Sequence, residues 1–499
     1  MKRELLTALL ALAISAMSAG ATTAAKQGER LKESAAQTEK MRWWRDAHFG
    51  MFVHWGPYAQ WGGVYNGYLQ RVGDAAWIMN RCKIPVAEYQ ERARHFNPED
   101  FNADSIAALA KGAGMKYLVL TAKHHDGFAM FQSDASEFNI ADFTPFGRDV
   151  VGELAEACKN QGMKFGIYYS QLQDWNNPGG TTHRRPMSQG WPNPEAEKID
   201  AYTEAHGGSW DPAQQTRSRD EYFEQVALGQ VRELLERHGD DISVIFWDTP
   251  SAMTEEYARA MTELLENYPH IITNDRLIRG SSEFTGDYKT PEQTIPSAKE
   301  LDGTDWETCM TICDSWGYKA RGTTWKPAET LIHNLVDIVS KGGNFLLNIG
   351  PDGKGNVPAP NIDRLKEIGK WMEKYGEAVY GVERMTIKKP EWGYCSQKQR
   401  ERGGTTVYLY IDYWPEKNEE LLLKVFKEAA SARMLHNGEP VAFRNSGDGV
   451  YLTLPERSPG GVLPVVALEF NTKLPRFKRK PMNNASYEIV DEPETKPQR

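Results

Sequence analysis

The stretch Asp241-Ile-Ser-Val-Ile-Phe-Trp-Asp248-Thr-Pro250 decides the expected fold. It contains a short, continuous apolar run, which is typical of a strand buried on both faces. Asp248 ends the run, and Pro250 then interrupts the strand because proline has no N–H to donate to a sheet. Apolar residues upstream recur at helical spacing and stop at Gly239, which predicts a helix before the strand. Asp248 is therefore expected where a strand leaves a core, the place where barrel enzymes carry catalytic groups.

Three further stretches repeat this order of helix, glycine and strand. The predicted pairs are Ser105–Lys111 with Lys116–Thr121, Val150–Lys159 with Lys164–Tyr169, and Ala328–Ser340 with Asn344–Ile349. Alternating helices and strands indicate parallel strands, because parallel neighbours need such crossover connections. A doubly wound sheet would share this local pattern, but no Gly-x-Gly-x-x-Gly turn follows a predicted strand. We therefore expect an α/β fold with a (β/α)8-like, TIM-type barrel over residues 41–381.

The pattern changes after about Gly381. The apolar runs become short, with turn residues and no long helix between them, which predicts antiparallel strands. We expect a C-terminal antiparallel β-sandwich at 382–473 and a loose tail at 474–499. Its predicted strands are Thr405–Tyr413, Leu421–Val425, Val450–Leu454 and Val462–Phe470.

Two other segments are polar. The lead-in at 22–40 is expected to be helical over Lys26–Lys40. The stretch Trp191–Gln215 is rich in Pro, Gly and polar residues and is expected to be a long loop. Long loops above a barrel are often functional lids.

Residues 1–21 have the pattern of a signal peptide. Lys2 and Arg3 supply the basic start, Leu5–Ile14 the apolar centre, and Ala19-Gly-Ala21 a small-residue cleavage site. The apolar part is too short to span a bilayer. The sequence predicts an exported protein, periplasmic or secreted, with no membrane insertion. The alternative is an uncleaved segment that tethers the chain.

The totals exclude several classes of protein. The 499-residue chain has a formal net charge of −9 and no long basic run, so nucleic acid is not an expected partner. Its five cysteines are an odd number and do not form a disulfide framework. The pair Cys309-x-x-x-Cys313 has no nearby Cys or His pair to complete a zinc site. We predict no metal and no cofactor.

Polar side chains follow the predicted strands. Asp248 can act as a nucleophile, a base or a metal ligand. His54 and the pair His124-His125 suit hydrogen bonds to hydroxyl groups, since imidazole both donates and accepts. Arg276, which follows the short apolar run Ile271–Asn274, could hold hydroxyls or orient the carboxylate.

A glycosidase needs a second carboxyl group close to the first. Glu292 and Glu307 are both available, and position alone does not choose between them. Each could instead be an ordinary structural carboxylate.

Seven motifs occur together in a recognisable order and resemble the α-L-fucosidases of glycoside hydrolase family 29. The resemblance extends from about Trp43 to Gly381 and, more loosely, through the C-terminal region. The motifs are Phe49-Gly-Met-Phe-Val-His54-Trp55-Gly56, Lys123-His124-His125-Asp126-Gly127-Phe128, Gly166-Ile-Tyr-Tyr169-Ser170, Phe246-Trp-Asp248, Asn274-Asp-Arg276, Trp306-Glu-Thr-Cys-Met-Thr and Lys341-Gly-Gly-Asn-Phe-Leu-Leu-Asn-Ile-Gly350-Pro351.

The resemblance implies an exo-acting, retaining glycosidase that removes terminal α-L-fucose from oligosaccharides or glycans without a cofactor. Asp248 would be the nucleophile and Glu292 the acid/base, with Glu307 in reserve. Double displacement then predicts carboxyl groups about 5–5.5 Å apart. The residues expected to bind substrate are His54, Trp55, Trp77, His124, His125, Tyr169, Arg276 and Trp316.

One position departs from the family pattern. Where many members have Glu-Trp, this chain has Ala76-Trp77. That glutamate usually binds sugar hydroxyls, and alanine accepts no hydrogen bond. Either another side chain substitutes for it, or the preferred sugar differs from unmodified fucose.

Two alternatives come from other classes. One is a secreted carbohydrate-binding protein on an inactive glycosidase scaffold, which would bind sugar without turnover. The other is a metal-dependent hydrolase that uses His54, His124, His125 and Asp248. The linkage, the aglycone and the oligomeric state are left open by the sequence.

Overall fold

The structure, a computed structural model, describes residues 29–70, 74–182, 186–187, 193–417, 419–480, 482 and 487–491. The predicted signal peptide lies outside these residues. The helices are α1 (Ala35–Ala47), α2 (Ile78–Arg81), α3 (Val86–Ala93), α4 (Ala103–Gly112), α5 (Val150–Asn160), α6 (Ala196–Ala205), α7 (Arg219–Tyr222), α8 (Leu228–His238), α9 (Glu255–Leu265), α10 (Ala328–Ser340) and α11 (Ala359–Tyr375), with a π-helical segment (Phe223–Ala227) between α7 and α8.

The strands follow the chain order. They are β1 (Glu29–Glu33), β2 (Phe49–Val53), β3 (Val64–Tyr65), β4 (Tyr68–Leu69), β5 (Tyr117–Lys123), β6 (Lys164–Ser170), β7 (Ile242–Asp248), β8 (Ile272–Thr273), β9 (Glu307–Thr311), β10 (Asn344–Ile349), β11 (Glu383–Arg384), β12 (Gly393–Gln399), β13 (Thr405–Ile411), β14 (Leu421–Leu423), β15 (Ala429–Met434), β16 (Ala442–Ser446), β17 (Gly449–Thr453), β18 (Val465–Phe470) and β19 (Tyr487–Asp491).

A curled, seven-stranded parallel sheet forms the first part of the chain, in the order β8-β7-β6-β5-β2-β10-β9. The strand predicted within Asp241–Pro250 is confirmed as β7, and it is buried from Ile242 to Trp247. The predicted helices at 150–159 and 328–340 are confirmed as α5 and α10. Because parallel strands all point the same way, the residues that follow them meet at one edge of the sheet.

An irregular segment, 287–293, lies between the edge strands β8 and β9. The backbone N–H of Asp287 donates to Thr273 O at 2.7 Å, beside β8. On the other side, the N–H of Gln293 donates to Cys309 O in β9 at 2.9 Å. The segment therefore carries Glu292 between the two edges of the parallel sheet.

Two antiparallel sheets form the C-terminal part, in the orders β11-β12-β13-β18-β15 and β14-β17-β16. The four predicted strands in this region are confirmed, with shifted ends, as β13, β14, β17 and β18. The sequence did not predict β12, β15 and β16, because their residues lack a clear apolar alternation. Side chains from both sheets share one apolar cluster, which includes Val407, Leu409, Leu423, Val450, Leu452 and Leu468.

Three expectations for polar segments were wrong. Residues 29–33 are not helical but form β1, which pairs antiparallel with β19, so part of the expected tail is also a strand. The helix begins only at Ala35, where the Ser34 hydroxyl accepts the N–H of Gln37 at 3.1 Å. The expected loop at 191–215 contains α6 and a 3-10 turn at Pro212–Gln215. Long-range backbone pairing stabilises β1 and β19, and local apolar periodicity does not report such pairing.

All five cysteines are free thiols. In the described ranges, no helix combines the length and the apolar character that crossing a bilayer requires.

Candidate active site

A cavity of about 880 Å³ opens at the carboxyl ends of the parallel strands. This is the end of an α/β sheet at which ligands bind, because the loops there are free to vary above a rigid core. Its lining includes Phe52, His54, Asp74, Trp77, His124, His125, Tyr168, Phe246, Asp248, Arg276, Glu292, Cys309 and Trp316.

Asp248 is the last residue of β7, and both of its carboxylate oxygens are held. Tyr168 donates its hydroxyl to Oδ2 at 2.8 Å, and Arg276 donates Nη1–H to Oδ1 at 2.9 Å. Burial acts to raise the pKa of Asp248, but Arg276, His125 and the Tyr168 hydroxyl outweigh burial and hold that pKa below its ordinary value. Asp248 is therefore a fixed, ionised carboxylate facing the cavity.

Arg276 bridges Asp248 and Glu292 with a single nitrogen. Its Nη1 lies 2.9 Å from Asp248 Oδ1 and 2.9 Å from Glu292 Oε2, while Nε and Nη2 donate to the side chain and backbone oxygens of Thr290. The two carboxylate oxygens thus cannot be more than twice 2.9 Å apart. With the two N–H bonds of a planar guanidinium nitrogen diverging by about 120°, the oxygens are about 5 Å apart. Retaining glycosidases require a separation of about 5–5.5 Å.

The residues that follow both carboxylates have strained backbones. Thr249 has φ +57° and Gln293 has φ +54°, in the left-handed region that side chains other than glycine rarely adopt. Such strain of about 1–3 kcal/mol per residue is concentrated at functional sites, where the surrounding structure imposes it. The two turns aim Asp248 and Glu292 into the same cavity.

The structure separates Glu292 from Glu307. Glu307 is the first residue of β9, at the amino end of the parallel strands and hence opposite to Asp248. It is fully buried and accepts the hydroxyl of Tyr117. It does not line the cavity. Glu292 is the carboxyl group that the fold brings beside Asp248.

Glu307→Gln is expected to stabilise the fold increasingly as pH rises. Burial raises the pKa of Glu307 from its ordinary value of 4.5 to about 7. The native state thus holds a proton that the unfolded chain releases, so stability falls as pH rises from 4.5 toward 7. Glutamine keeps the shape of the side chain but does not titrate, so it removes this loss of folding stability. At about 1.4 kcal/mol per pKa unit, the gain is up to about 3 kcal/mol above neutral pH.

Thermal unfolding at about pH 5 and about pH 8 measures the effect. The gain in Tm should be larger at the higher pH. Glu373→Gln, at an exposed position of α11, is the matched control and should show no such trend. A pH-independent gain for Glu307→Gln would contradict a buried, proton-holding carboxyl group.

His54 presents a hydrogen-bond acceptor to the cavity. Its Nδ1 lies 2.6 Å from Asn348 Oδ1, and Asn348 uses its amide nitrogen to donate to Trp316 O at 2.8 Å. Asn348 Oδ1 is therefore an acceptor, so His54 Nδ1 carries the proton. Burial lowers the pKa of His54 to about 4, against the raising influence of nearby Asp74. At neutral pH, Nε2 is thus free of a proton and suits a sugar hydroxyl.

His124 and His125 both line the cavity, with ring centroids 4.2 Å apart. Burial, together with His125 and His54, lowers the pKa of His124 well below its ordinary value, so that ring is neutral. His125 donates Nδ1–H to Ser170 Oγ at 2.7 Å, because Ser170 donates its own proton to Gln173 O. His125 Nε2 is left 3.5 Å from Asp248 Oδ2. Within the described ranges, no group of three or more His, Cys, Asp or Glu residues is arranged to hold a metal ion.

Two residues predicted to contact substrate, Tyr169 and Trp55, do not line the cavity. The Tyr169 side chain points away from the cavity, and its hydroxyl donates to Gln230 Oε1 in α8 at 2.8 Å. Side chains alternate along a strand, so the neighbouring Tyr168 faces the cavity instead. Trp55 is buried under the cavity loops, where its ring stacks on Phe101 at 5.1 Å. The other predicted contacts, His54, Trp77, His124, His125, Arg276 and Trp316, all line the cavity.

Tyr168→Phe and Tyr169→Phe form a matched pair, of which only the first is expected to change the kinetics. Loss of the Tyr168 hydroxyl removes a hydrogen bond to ionised Asp248, which should lower kcat/KM about 10-fold. It should also raise the pKa of Asp248, because that bond favours the charged form. The acidic limb of the pH–rate profile should therefore move to higher pH.

Tyr169→Phe should leave both the rate and the pH profile near wild type. Its expected cost is a small loss of Tm, since the contacts of the hydroxyl with Gln230 Oε1 and Ala227 O, both away from the cavity, are removed. Equal kinetic effects of the two substitutions would contradict the assignment of strand faces.

Phe52, Asp74, Tyr168 and Phe246 are among the cavity residues that the sequence reasoning did not identify. Phe52, Tyr168 and Phe246 lie inside strands, where an apolar or aromatic residue gives no sign of facing a ligand. Asp74 lies two residues before the Ala76-Trp77 motif, and its charge was the one available signal.

Comparison with known proteins finds one family. A family model described as α-L-fucosidase matches residues 15–377. An α-L-fucosidase from Dictyostelium discoideum is 29% identical over 404 residues, covering 75% of this chain and 78% of the relative. The solved structure of α-L-fucosidase isoenzyme 1 from Paenibacillus thiaminolyticus is 29% identical in sequence and superposes with a TM-score of 0.72. The match covers 87% of this chain and 100% of the Paenibacillus chain.

A second solved structure bears on mechanism. It is an α-L-fucosidase from Bacteroides thetaiotaomicron, 28% identical to this chain, with a TM-score of 0.72 and coverage of 89% and 98% of the two chains. It is a trapped covalent intermediate in complex with 2-fluoro-fucosyl fluoride, obtained with a glutamate-to-glutamine variant.

Proposed function

The chain belongs to the α-L-fucosidase family, and we propose that it removes terminal α-L-fucose from oligosaccharides or glycans with Asp248 as nucleophile and Glu292 as acid/base. It is a retaining glycosidase, in keeping with the covalent intermediate trapped in the Bacteroides relative. The observation that carries the residue assignment is the bridge through Arg276, which holds the two carboxylates at the separation that double displacement needs.

In the first step, Asp248 attacks the anomeric carbon and the bond to the leaving oxygen breaks. Arg276 and Tyr168 orient the attacking carboxylate from its two sides and keep it ionised. Its negative charge also stabilises the positive charge that develops on the sugar in the oxocarbenium-like transition state. The product of this step is a glycosyl ester on Asp248.

Glu292 gives a proton to the leaving oxygen and later takes one from water. Asp248 has three polar partners, whereas Glu292 has Arg276 as its one side-chain partner in the described residues. The Glu292 side chain is 43% exposed, so it reaches both the leaving group and solvent water. This asymmetry suits a fixed nucleophile and a proton-exchanging partner.

The cavity fits one sugar and part of what it is attached to. Its volume of about 880 Å³ lies in the upper range of ligand pockets. Trp316, with its ring 4.9 Å from that of His54, and Trp77, 5.1 Å from His125, offer aromatic surface to the apolar faces of a sugar.

We propose that 287–293 acts as an irregular eighth strand that closes the sheet into a (β/α)8-like barrel. Its backbone hydrogen bonds to both edges support this closure. The apolar cluster shared by the two C-terminal sheets likewise supports a β-sandwich.

We also propose export to the periplasm or the medium. The basic start, the apolar centre and the small-residue site within residues 1–21 support it.

The test is sugar release by the purified protein from aryl α-L-fucoside, α1,2-, α1,3- and α1,4-linked fucosyl oligosaccharides and the matching aryl galactosides, with and without a chelator. We expect fucose release that the chelator does not change. Galactose release alone would contradict the proposed sugar, and loss of activity with chelator would favour a metal-dependent hydrolase. Binding without release would favour a carbohydrate-binding protein.

A further inference from the structure

We propose that Asp74 binds a hydroxyl group of the sugar through its free oxygen, Oδ2, in the place of the acceptor that is missing at position 76. The inference rests on the proposed function, because it assigns a specificity-determining residue to the same site. Asp74 lines the cavity together with His54 and Trp316.

One oxygen of Asp74 is fully used by the protein. Oδ1 accepts the backbone N–H groups of Trp316 at 2.9 Å, Gly317 at 3.0 Å and Ala76 at 3.2 Å, and it lies 2.8 Å from Ser315 Oγ. These contacts join the turn before Trp77 to the turn that carries Trp316. They also fix the direction in which the other oxygen points.

The other oxygen has no partner. Oδ2 is buried and makes no hydrogen bond to any part of the chain that the structure describes. An unsatisfied buried acceptor costs about 1–3 kcal/mol, and more when it is charged, so a hydroxyl donor from a ligand would be favoured there. A sugar hydroxyl supplies such a donor and can accept a hydrogen bond at the same time.

Asp74 lies on the side of the cavity where the sugar is expected. It is hydrogen-bonded to the backbone of Trp316, whose ring lies 4.9 Å from that of His54. The negative charge of Asp74 acts to raise the pKa of His54, which places the two groups within electrostatic reach. His54 and Asp74 thus offer two acceptors, Nε2 and Oδ2, among the residues that line this cavity.

Position 76 itself does not reach the cavity. Ala76 is fully buried and is absent from the cavity lining. A Cβ added at Gly317 would lie 3.0 Å from the Ala76 Cβ, so the turn at position 76 packs closely against the turn that carries Trp316. A carboxylate that does line the cavity stands two residues earlier, on Asp74, which caps the 3-10 turn Ala75–Trp77.

A purely structural role for Asp74 predicts a different result from a binding role. Asn caps a helix about as well as Asp, and its side-chain oxygen can replace Oδ1. Asp74→Asn therefore preserves the contacts to Trp316 and Gly317, while it turns the free acceptor into an amide donor. A capping role alone would leave this variant near wild type in kinetics.

The experiment compares wild type and Asp74→Asn on an aryl α-L-fucoside and on its 2-, 3- and 4-deoxy analogues. We expect Asp74→Asn to lower kcat/KM for the parent about 10- to 100-fold, as loss of a charged hydrogen bond does. For one deoxy analogue, the one that lacks the bound hydroxyl, kcat/KM should already be low with the wild type and should fall no further with the variant. The reason is that the hydroxyl and its acceptor act as a coupled pair.

Ser315→Ala is the matched control, since it loosens the same turn without altering Oδ2. It should lower Tm and leave the ranking of the deoxy analogues unchanged. If Asp74→Asn fails to fold, Asp74→Ser, which keeps a capping oxygen, takes its place in the same comparison.

Unchanged penalties for all three deoxy analogues in the variant would overturn the inference. Wild-type inactivity on the parent fucoside would instead overturn the proposed function, and this inference with it.

Discussion

Asp248→Gly is expected to lower kcat/KM on an aryl α-L-fucoside at least about 1000-fold, because the variant has no group to form the glycosyl ester. The loss should be in kcat more than in KM, since the carboxylate acts mainly in the transition state. Steady-state kinetics on the purified variant measure it. Asp241→Asn, a change of a half-buried aspartate that pairs with Lys159 and immediately precedes the same strand, is the matched control and should stay near wild type.

Added azide should restore turnover of Asp248→Gly and reveal the face of attack. The missing side chain leaves space beside the anomeric carbon, and azide can enter there as the nucleophile. Because it attacks the face opposite to the leaving group and no second displacement follows, the product should be the β-fucosyl azide. If the variant released an α-fucosyl azide, or turned over at the wild-type rate without azide, Asp248 could not be the nucleophile.

Glu292→Gln is expected to affect poor leaving groups far more than good ones. A fucosyl oligosaccharide needs a proton on its leaving oxygen, so its kcat/KM should fall about 100- to 10,000-fold. An aryl fucoside with a strongly activated phenol needs little protonation, so its first step should be nearly unchanged. The second step still lacks a base, so the glycosyl ester on Asp248 should accumulate and give a burst of phenol.

Glu292→Ala with azide complements the experiment on Asp248. Azide needs no general base and should release the intermediate as the α-fucosyl azide, with two displacements and net retention. Glu307→Gln is the matched control and should show neither the leaving-group dependence nor the rescue, because Glu307 is buried at the opposite end of the strands. The same behaviour at Glu307 instead of Glu292 would reverse the assignment.

The backbone elements that carry the site were readable from the sequence. The apolar run before Asp248 can be satisfied only by a buried strand, and it became β7. In the same way, the helical spacing of apolar residues and the glycines that end it predicted the first and last residues of α5 and α10 to within one residue. Burial of apolar surface is the largest favourable term in folding, so its period along the chain predicts local structure and puts Asp248 at a strand end.

The partners of Asp248 were decided by tertiary structure. Tyr168 and Tyr169 are the same residue type at adjacent positions, and only the packing of α8 against one face of β6 put Tyr168 in the cavity. Sequence position alone did not choose between Glu292 and Glu307, and the resemblance favoured Glu292. The direction of the parallel strands places the two at opposite ends of the sheet.

The role of Asp74 also depends on a distant part of the chain. The turn around Trp316 occupies Oδ1 and leaves Oδ2 without a partner in the described residues, on a residue that lines the cavity. The sequence by itself determined the strands and helices with a clear apolar period, such as β7, α5 and α10, and that β7 ends in a carboxylate, because these follow from short-range apolar spacing. Which carboxylates and hydroxyls meet in the cavity was decided only by the tertiary structure, because contacts between residues far apart in the chain leave no periodic signal in it.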